Sequence, residues 1–136
     1  ARQDPGAAAR PGTALRGIQI GKGWTKGGGS HERVYDVAGG PNDAGVNVDS
    51  CTPTGAGARS LCEVWTDPEF DVAENAFYYA RVLENPTCRW NTWDAIRAGT
   101  QPRSDLAATL QERAWSSPIQ YVPGAAGVKD STPVRK

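Results

Sequence analysis

The chain has 136 residues, sixteen of them glycine and ten proline, and its fifteen basic and fifteen acidic side chains cancel. That length holds one ordinary core and excludes two well-buried ones, while the balanced charge excludes a global field that would draw the chain to nucleic acid or an anionic membrane. No apolar run approaches the roughly 18 residues of a spanning helix, and no charged-then-apolar start marks a signal peptide, so neither nucleic acid nor membrane is an expected partner. With no methionine anywhere, Ala1 is expected to be the start of a mature, cleaved or excerpted chain.

Residues 1–13, rich in Ala, Arg, Pro and Gly without hydrophobic period, predict a flexible lead-in. From Leu15 to Trp24, Ile18 and Ile20 share one face of a strand, and Gly17, Gly21 and Gly23 permit a bulge or a close backbone approach. Glu32 to Ala38 sets Arg33, Tyr35 and Val37 against Val34. The two strands, joined by the loop Thr25 to His31, predict a hairpin. Gly39 to Ser60 reads as a long loop of the kind that is functional or braced. Leu61 to Trp65 predicts a short strand before the turn at Asp67-Pro68.

Ala76 to Leu83 gives the clearest strand, with Tyr78, Ala80 and Val82 alternating against Phe77, Tyr79, Arg81 and Leu83. Thr92 to Ala98 predicts one or two helical turns, capped by Asn91 or Thr92, with Asp94 in the first turn and Gly99 beyond the end. Leu106 to Ala114 has helix-favouring composition, yet Trp115 to Val122 reads as a strand starting near Thr109 or Leu110, and the strand is preferred. Residues 123–136 predict a loose tail. Five to six strands, one short helix and long glycine-rich loops make residues 14–122 a mostly β domain, a small β-sandwich or partial sandwich.

Arginine, glutamate, cysteine and tryptophan sit inside apolar stretches between Ala76 and Ile119, where an unpaired buried charge costs several kcal/mol. Glu84, Asn85 and Arg89 bracket the Pro86-Thr87-Cys88 turn and converge on one end of the sheet. The plain reading is an internal Glu–Arg pair with Asn85 bonding the turn backbone; the sharper one is a set lining a site mouth. Arg81, Glu112 and Arg113 could join the same network. Trp65, Trp90, Trp93 and Trp115 are expected to be buried, sealing the core or an interdomain seam, with an exposed sugar platform as the rarer reading.

Cys51 and Cys62 flank a short loop whose closure is worth roughly 2–3 kcal/mol, and theirs is the expected disulfide; Cys88 with either is the rival, three reduced thiols the plain alternative. No Cys-x-x-Cys or spaced Cys/His set exists, and His31 is alone, so no metal site is expected in this chain. Asp67, Glu69 and Asp71 lack EF-hand spacing, and the Lys22 to Ser30 glycines lack phosphate-loop order. Ser116-Ser117 has neither nucleophile elbow nor histidine base.

Trp65 to Asp71, Ala76 to Trp90 and Gln111 to Ile119, preceded by Ile18 to Trp24 and Glu32 to Ala38, resemble the C-terminal region of a large bacterial family of unknown function. Its members look like PHP-type (polymerase and histidinol phosphatase) metal-dependent hydrolases, and the resemblance spans roughly residues 15 to 122. It implies a catalytic half that is N-terminal, where histidines and carboxylates hold divalent metal for phosphoester-type hydrolysis. None of those motifs is in this chain, which is therefore expected to be a non-catalytic C-terminal portion with no cofactor of its own. The implied partner is the N-terminal metal-binding half, in the same protein or as a cleaved chain. Glu84, Asn85, Arg89, Trp90, Arg113 and Trp115 are the candidate binding or interface residues. Members of that family are often exported, which implies a periplasmic or extracellular location in keeping with a disulfide. The rival reading is a free-standing secreted binding or structural module, with glycans as one ligand class.

Overall fold

Gly27 and Gly28 adopt left-handed φ values of 57° and 79°, the backbone that a two-residue hairpin turn requires at both central positions. The flanking strands consequently run up to the turn, with Lys26 opposite Gly29, and the expected loop from Thr25 to His31 shrinks to two residues. The computed structural model describes residues 1–9 and 11–124; the predicted tail from residue 125 onward lies outside the described residues.

In chain order the elements are β1 (Leu15–Lys26), β2 (Gly29–Gly39), β3 (Gly45–Asn47), β4 (Thr52–Thr54), β5 (Ala76–Glu84), β6 (Thr87–Cys88), α1 (Trp90–Ala98), β7 (Thr109–Leu110), β8 (Arg113–Trp115) and β9 (Ile119–Tyr121). The fold is mostly β with one helix, as the sequence predicts; β1, β2 and β5 run longer than expected, and short strands of two or three residues bring the number among the described residues to nine. The principal sheet is antiparallel in the order β2-β1-β5-β8, and β9 also pairs with β5. Two separate two-stranded ladders, β3-β4 and β6-β7, complete it.

The last edge of the sheet is broken where one strand was expected. β8 pairs with Arg81 to Leu83 and β9 with Ala76 to Tyr78. Between them Pro118 has no N–H to offer a ladder. Ser116 bridges the gap: its N–H donates to the Ala80 carbonyl at 3.0 Å and its Oγ accepts the Ala80 N–H at 2.9 Å.

Leu61 to Trp65, predicted as a strand, forms none. Leu61 donates to the Ala1 carbonyl at 3.0 Å and Gln3 donates to the Arg59 carbonyl at 2.9 Å, so the segment's backbone meets the chain start instead of a sheet. The helix begins two residues before the predicted start, capped by the backbone of Arg89 with no side-chain bond. Asn91 and Thr92 are buried inside the helix rather than capping it, and the earlier start moves Asp94 out of the first turn. Gly99 ends the helix at a φ of 63°, the left-handed cap its position predicted.

The disulfide joins Cys51 to Cys88 and leaves Cys62 free and exposed, which corrects the expected Cys51–Cys62 bond. After β4 the chain does not loop back on itself. Ala58 pairs with Leu15 and Ser60 with Arg2, which carries Cys62 away, whereas Cys88 on β6 lies beneath the tip between β3 and β4. The bond braces the long 39–60 loop to the end of β5.

Among the described residues the buried apolar side chains are few: Leu15, Cys51, Cys88 and Ala95. Lys22, Asn85, Asn91 and Thr92 are buried beside them. Trp90, Trp93 and Trp115 are exposed, so three of the four tryptophans expected inside do not seal this chain's core.

Candidate functional site

Register assigns the sheet's side chains to two faces, because alternate residues point oppositely. On one face, Ile20 lies beside Tyr35 and Ala80, and Lys22 beside Arg33 and Tyr78. On the other, Gly21 lies beside Val34 and Tyr79, Gly23 beside Glu32 and Phe77, and Arg81 beside Trp115.

The segment 65–70 lies over the first face, with Trp65 against Tyr35 and Tyr78, held down by an ion-pair network. The Lys22 ammonium meets Asp67 Oδ2 at 2.6 Å, with both side chains over nine-tenths buried, and donates to the Glu69 carbonyl at 2.8 Å. It also lies 5.0 Å from the Trp24 ring centre. Tyr78 Oη donates to the same Asp67 oxygen at 2.7 Å, while Arg33 and Tyr35 both donate to the Glu69 carboxylate. Burial pushes the Asp67 carboxyl up, but Lys22, Tyr78 and the Glu69 N–H outweigh it and hold it below the usual carboxylate range. Burial and the Asp67 bond push the Tyr78 hydroxyl well above its ordinary value. No buried polar side-chain atom of this cluster lacks a partner, so the cluster is a staple and not a poised acid, base or nucleophile. Beside it lies a cavity of about 580 Å³ bounded by Ile20, Trp65, Phe70 and Tyr121.

The second face is open. Tyr79 and Phe77 lie across β1 with their rings over Gly21 and Gly23, where any Cβ would collide with them; glycine in a strand interior commonly marks such an approach. The two rings stack with centroids 6.5 Å apart. Phe77 is 44 %, Val34 42 % and Trp115 57 % exposed. Phe77, Tyr79, Trp115 and Pro118 border a shallow groove of about 390 Å³.

The predicted site residues do not converge as a set. Arg113 and Trp115 stand on β8 opposite Leu83 and Arg81, on the open face. Asn85 turns inward: its Oδ1 accepts from Asn42 at 3.0 Å and its Nδ2 donates to the Ala56 carbonyl at 3.3 Å, so it ties loops together. Glu84 and Arg89 form no ion pair with each other among the described residues. Burial, with Glu112 and Asp4 nearby and despite a Thr13 hydrogen bond, raises the Glu84 carboxyl above its usual value. Arg89 caps the helix, with its Nε buried and unpartnered, and Trp90 projects outward, 68 % exposed.

Sequence reading missed Lys22, Asp67 and Tyr78 as a unit. The alternation of β1 and β5 places Lys22 and Tyr78 on apolar-facing positions, and that was the available signal; the partner Asp67 comes from a loop that no periodicity locates. Among the described residues no group of three or more His, Cys, Asp or Glu could hold a metal. His31 stacks on Trp24 at 5.3 Å, and Asp67 and Glu69 are committed to cations, so the residues here do not fit a divalent-metal centre.

Residues 1–123 match a family described as "Protein of unknown function (DUF3604)", a span that takes in the lead-in as well as the sheet. No curated protein and no solved structure matches the chain.

Proposed function

The chain belongs to the DUF3604 family, and from that premise we propose that it is the non-catalytic portion of a PHP-like metal-dependent hydrolase. In this reading it packs through its open sheet face on a metal-binding half and shapes access to that half's active site. The observation that carries the reading is the asymmetry of the sheet. One face is closed by a buried ion pair, whereas the other leaves Phe77, Val34 and Trp115 in water. A contiguous aromatic patch rimmed by polar residues is the usual mark of an interaction surface.

The partner half would supply the metal, which polarises a phosphoryl oxygen and acidifies a bound water. This chain would contribute shape and the aromatic shelf, and no metal ligand. The Cys51–Cys88 bond supports residence in an oxidising compartment, the periplasm or outside the cell. No described helix is long and apolar enough to cross a membrane.

The test is reconstitution. The chain mixed or co-expressed with a metal-binding half from this family should form a stable complex with metal-dependent phosphoester turnover, and Trp115→Ser should abolish the complex while leaving the chain folded. Turnover by the chain alone on adding divalent metal, or no association with any such half, would sink the reading.

A further inference from the structure

At the end of the open face away from Phe77, a cavity of about 290 Å³ is lined by Arg16, Arg81 and Arg113 together with Gln19, Gln111 and Asp36. None of the three arginines has a carboxylate partner among the described residues. The one acid in the wall, Asp36, accepts from Gln19 Nε2 through Oδ1 at 2.7 Å, a neutral partner that orients the carboxylate and leaves its charge in place. The same amide's Oε1 accepts from Arg81 Nε at 2.9 Å and Nη2 at 2.5 Å. Gln19 thus aims the half-buried Arg81 guanidinium along the sheet without neutralising it. Three arginines against one carboxylate leave the wall of this small concavity net positive, which favours an oxoanion, because the planar fork of a guanidinium such as that of Arg81 matches carboxylate, sulfate or phosphate oxygens two at a time.

What adjoins the cavity narrows the ligand further. Arg81 lies opposite Trp115 on the neighbouring strand, and Tyr79 and Phe77 follow on the same face of β5, two residues apart. Successive same-face positions are about 7 Å apart, so the arginines and the aromatic shelf lie within the span of a ring or two. Flat aromatic surface next to an anion-binding fork suits a ring that carries an acidic group.

We propose that this cavity binds the acidic group of a saccharide, a uronate carboxylate or a sugar sulfate, with its ring resting on Trp115. The site goes beyond the docking reading and shares Trp115 with it, so sugar and partner half would compete for that ring; binding is a property of this chain and is measured without any partner half.

Titration calorimetry of the 136-residue chain against oligogalacturonate, a sulfated disaccharide and a neutral oligosaccharide tests it. Saturable binding of one of the acidic sugars is expected, with the two arms separating carboxylate from sulfate. Binding should weaken as sodium chloride is raised, because partly exposed charges are screened. Arg113→Ala should lower affinity at least about tenfold, the worth of a hydrogen bond to a charged group, with an unchanged melting curve because Arg113 is exposed on an edge strand. Arg16→Ala should do the same, and Trp115→Ala should weaken the sugar more than inorganic sulfate. No saturable binding of either acidic sugar at millimolar concentration would overturn the proposal. So would equal affinity for the neutral oligosaccharide, or affinity unchanged in both arginine variants.

Discussion

The two faces of the sheet are built from the same three strands and differ in almost every physical respect. On the covered face, Lys22 and Asp67 are buried against each other with Tyr78 bonded to the same carboxylate, and the segment 65–70 lies over them. On the open face, glycines replace side chains on β1, and the aromatic rings of β5 lie over the gaps with a broad edge in solvent. The difference teaches that stability and recognition are segregated. A buried charge tolerates little change because its removal strands the partner, whereas an exposed aromatic shelf can vary at little cost to folding.

The largest effect should come from Asp67→Ala. It leaves the Lys22 ammonium buried without its counter-ion and takes the acceptor from Tyr78, for a loss of about 3–5 kcal/mol. Urea denaturation should show a folded population that is small or absent; a loss under about 1 kcal/mol would mean the staple is dispensable. The disulfide lies on neither face and calibrates both. Cys51→Ala with Cys88→Ala should cost about 4 kcal/mol for a loop of this length. Cys62→Ser should change stability by no more than about 0.5 kcal/mol, since that thiol is exposed.

Gly21→Ala probes the open face from below. Its methyl group would displace the Tyr79 ring and should cost about 1–3 kcal/mol, typical of overpacking. A neutral result would show the ring free to swing away, and the shelf unspecified. The mildest test is acidification. The folded Asp67 carboxyl lies below its ordinary value, so its contribution is fully present above the unfolded carboxylate value of about 3.9 and is lost as pH falls through the folded value. The urea midpoint should therefore drop below about pH 4, and the drop should flatten in Asp67→Asn.

Several elements were legible from residues alone because local physics decides them. The alternation of Phe77 to Leu83 specified β5, and the glycines after Lys26 specified a hairpin, though its turn is tighter than the loop length suggested. Gly99 marked the helix end. Leu61 to Trp65 misled because an apolar run reads as a strand whether or not an edge is free to receive it; here the chain start takes its backbone bonds. The final strand divided because Ser116 and Pro118 interrupt the ladder, an effect visible as composition but not as geometry. Of the predicted site residues, Arg113 and Trp115 reached the open face, while Asn85 proved a loop tie and Glu84 and Arg89 stayed unpaired with each other.

By itself the sequence determined a small mostly β domain, its central strands, and the absence of net charge, since periodicity, turn residues and composition act over a few neighbours. Only the tertiary structure decided which cysteines bond, which face of the sheet is covered, and that Lys22 is buried against Asp67. Those outcomes depend on where a loop with no period of its own comes to rest, and that is set by contacts between residues tens of positions apart.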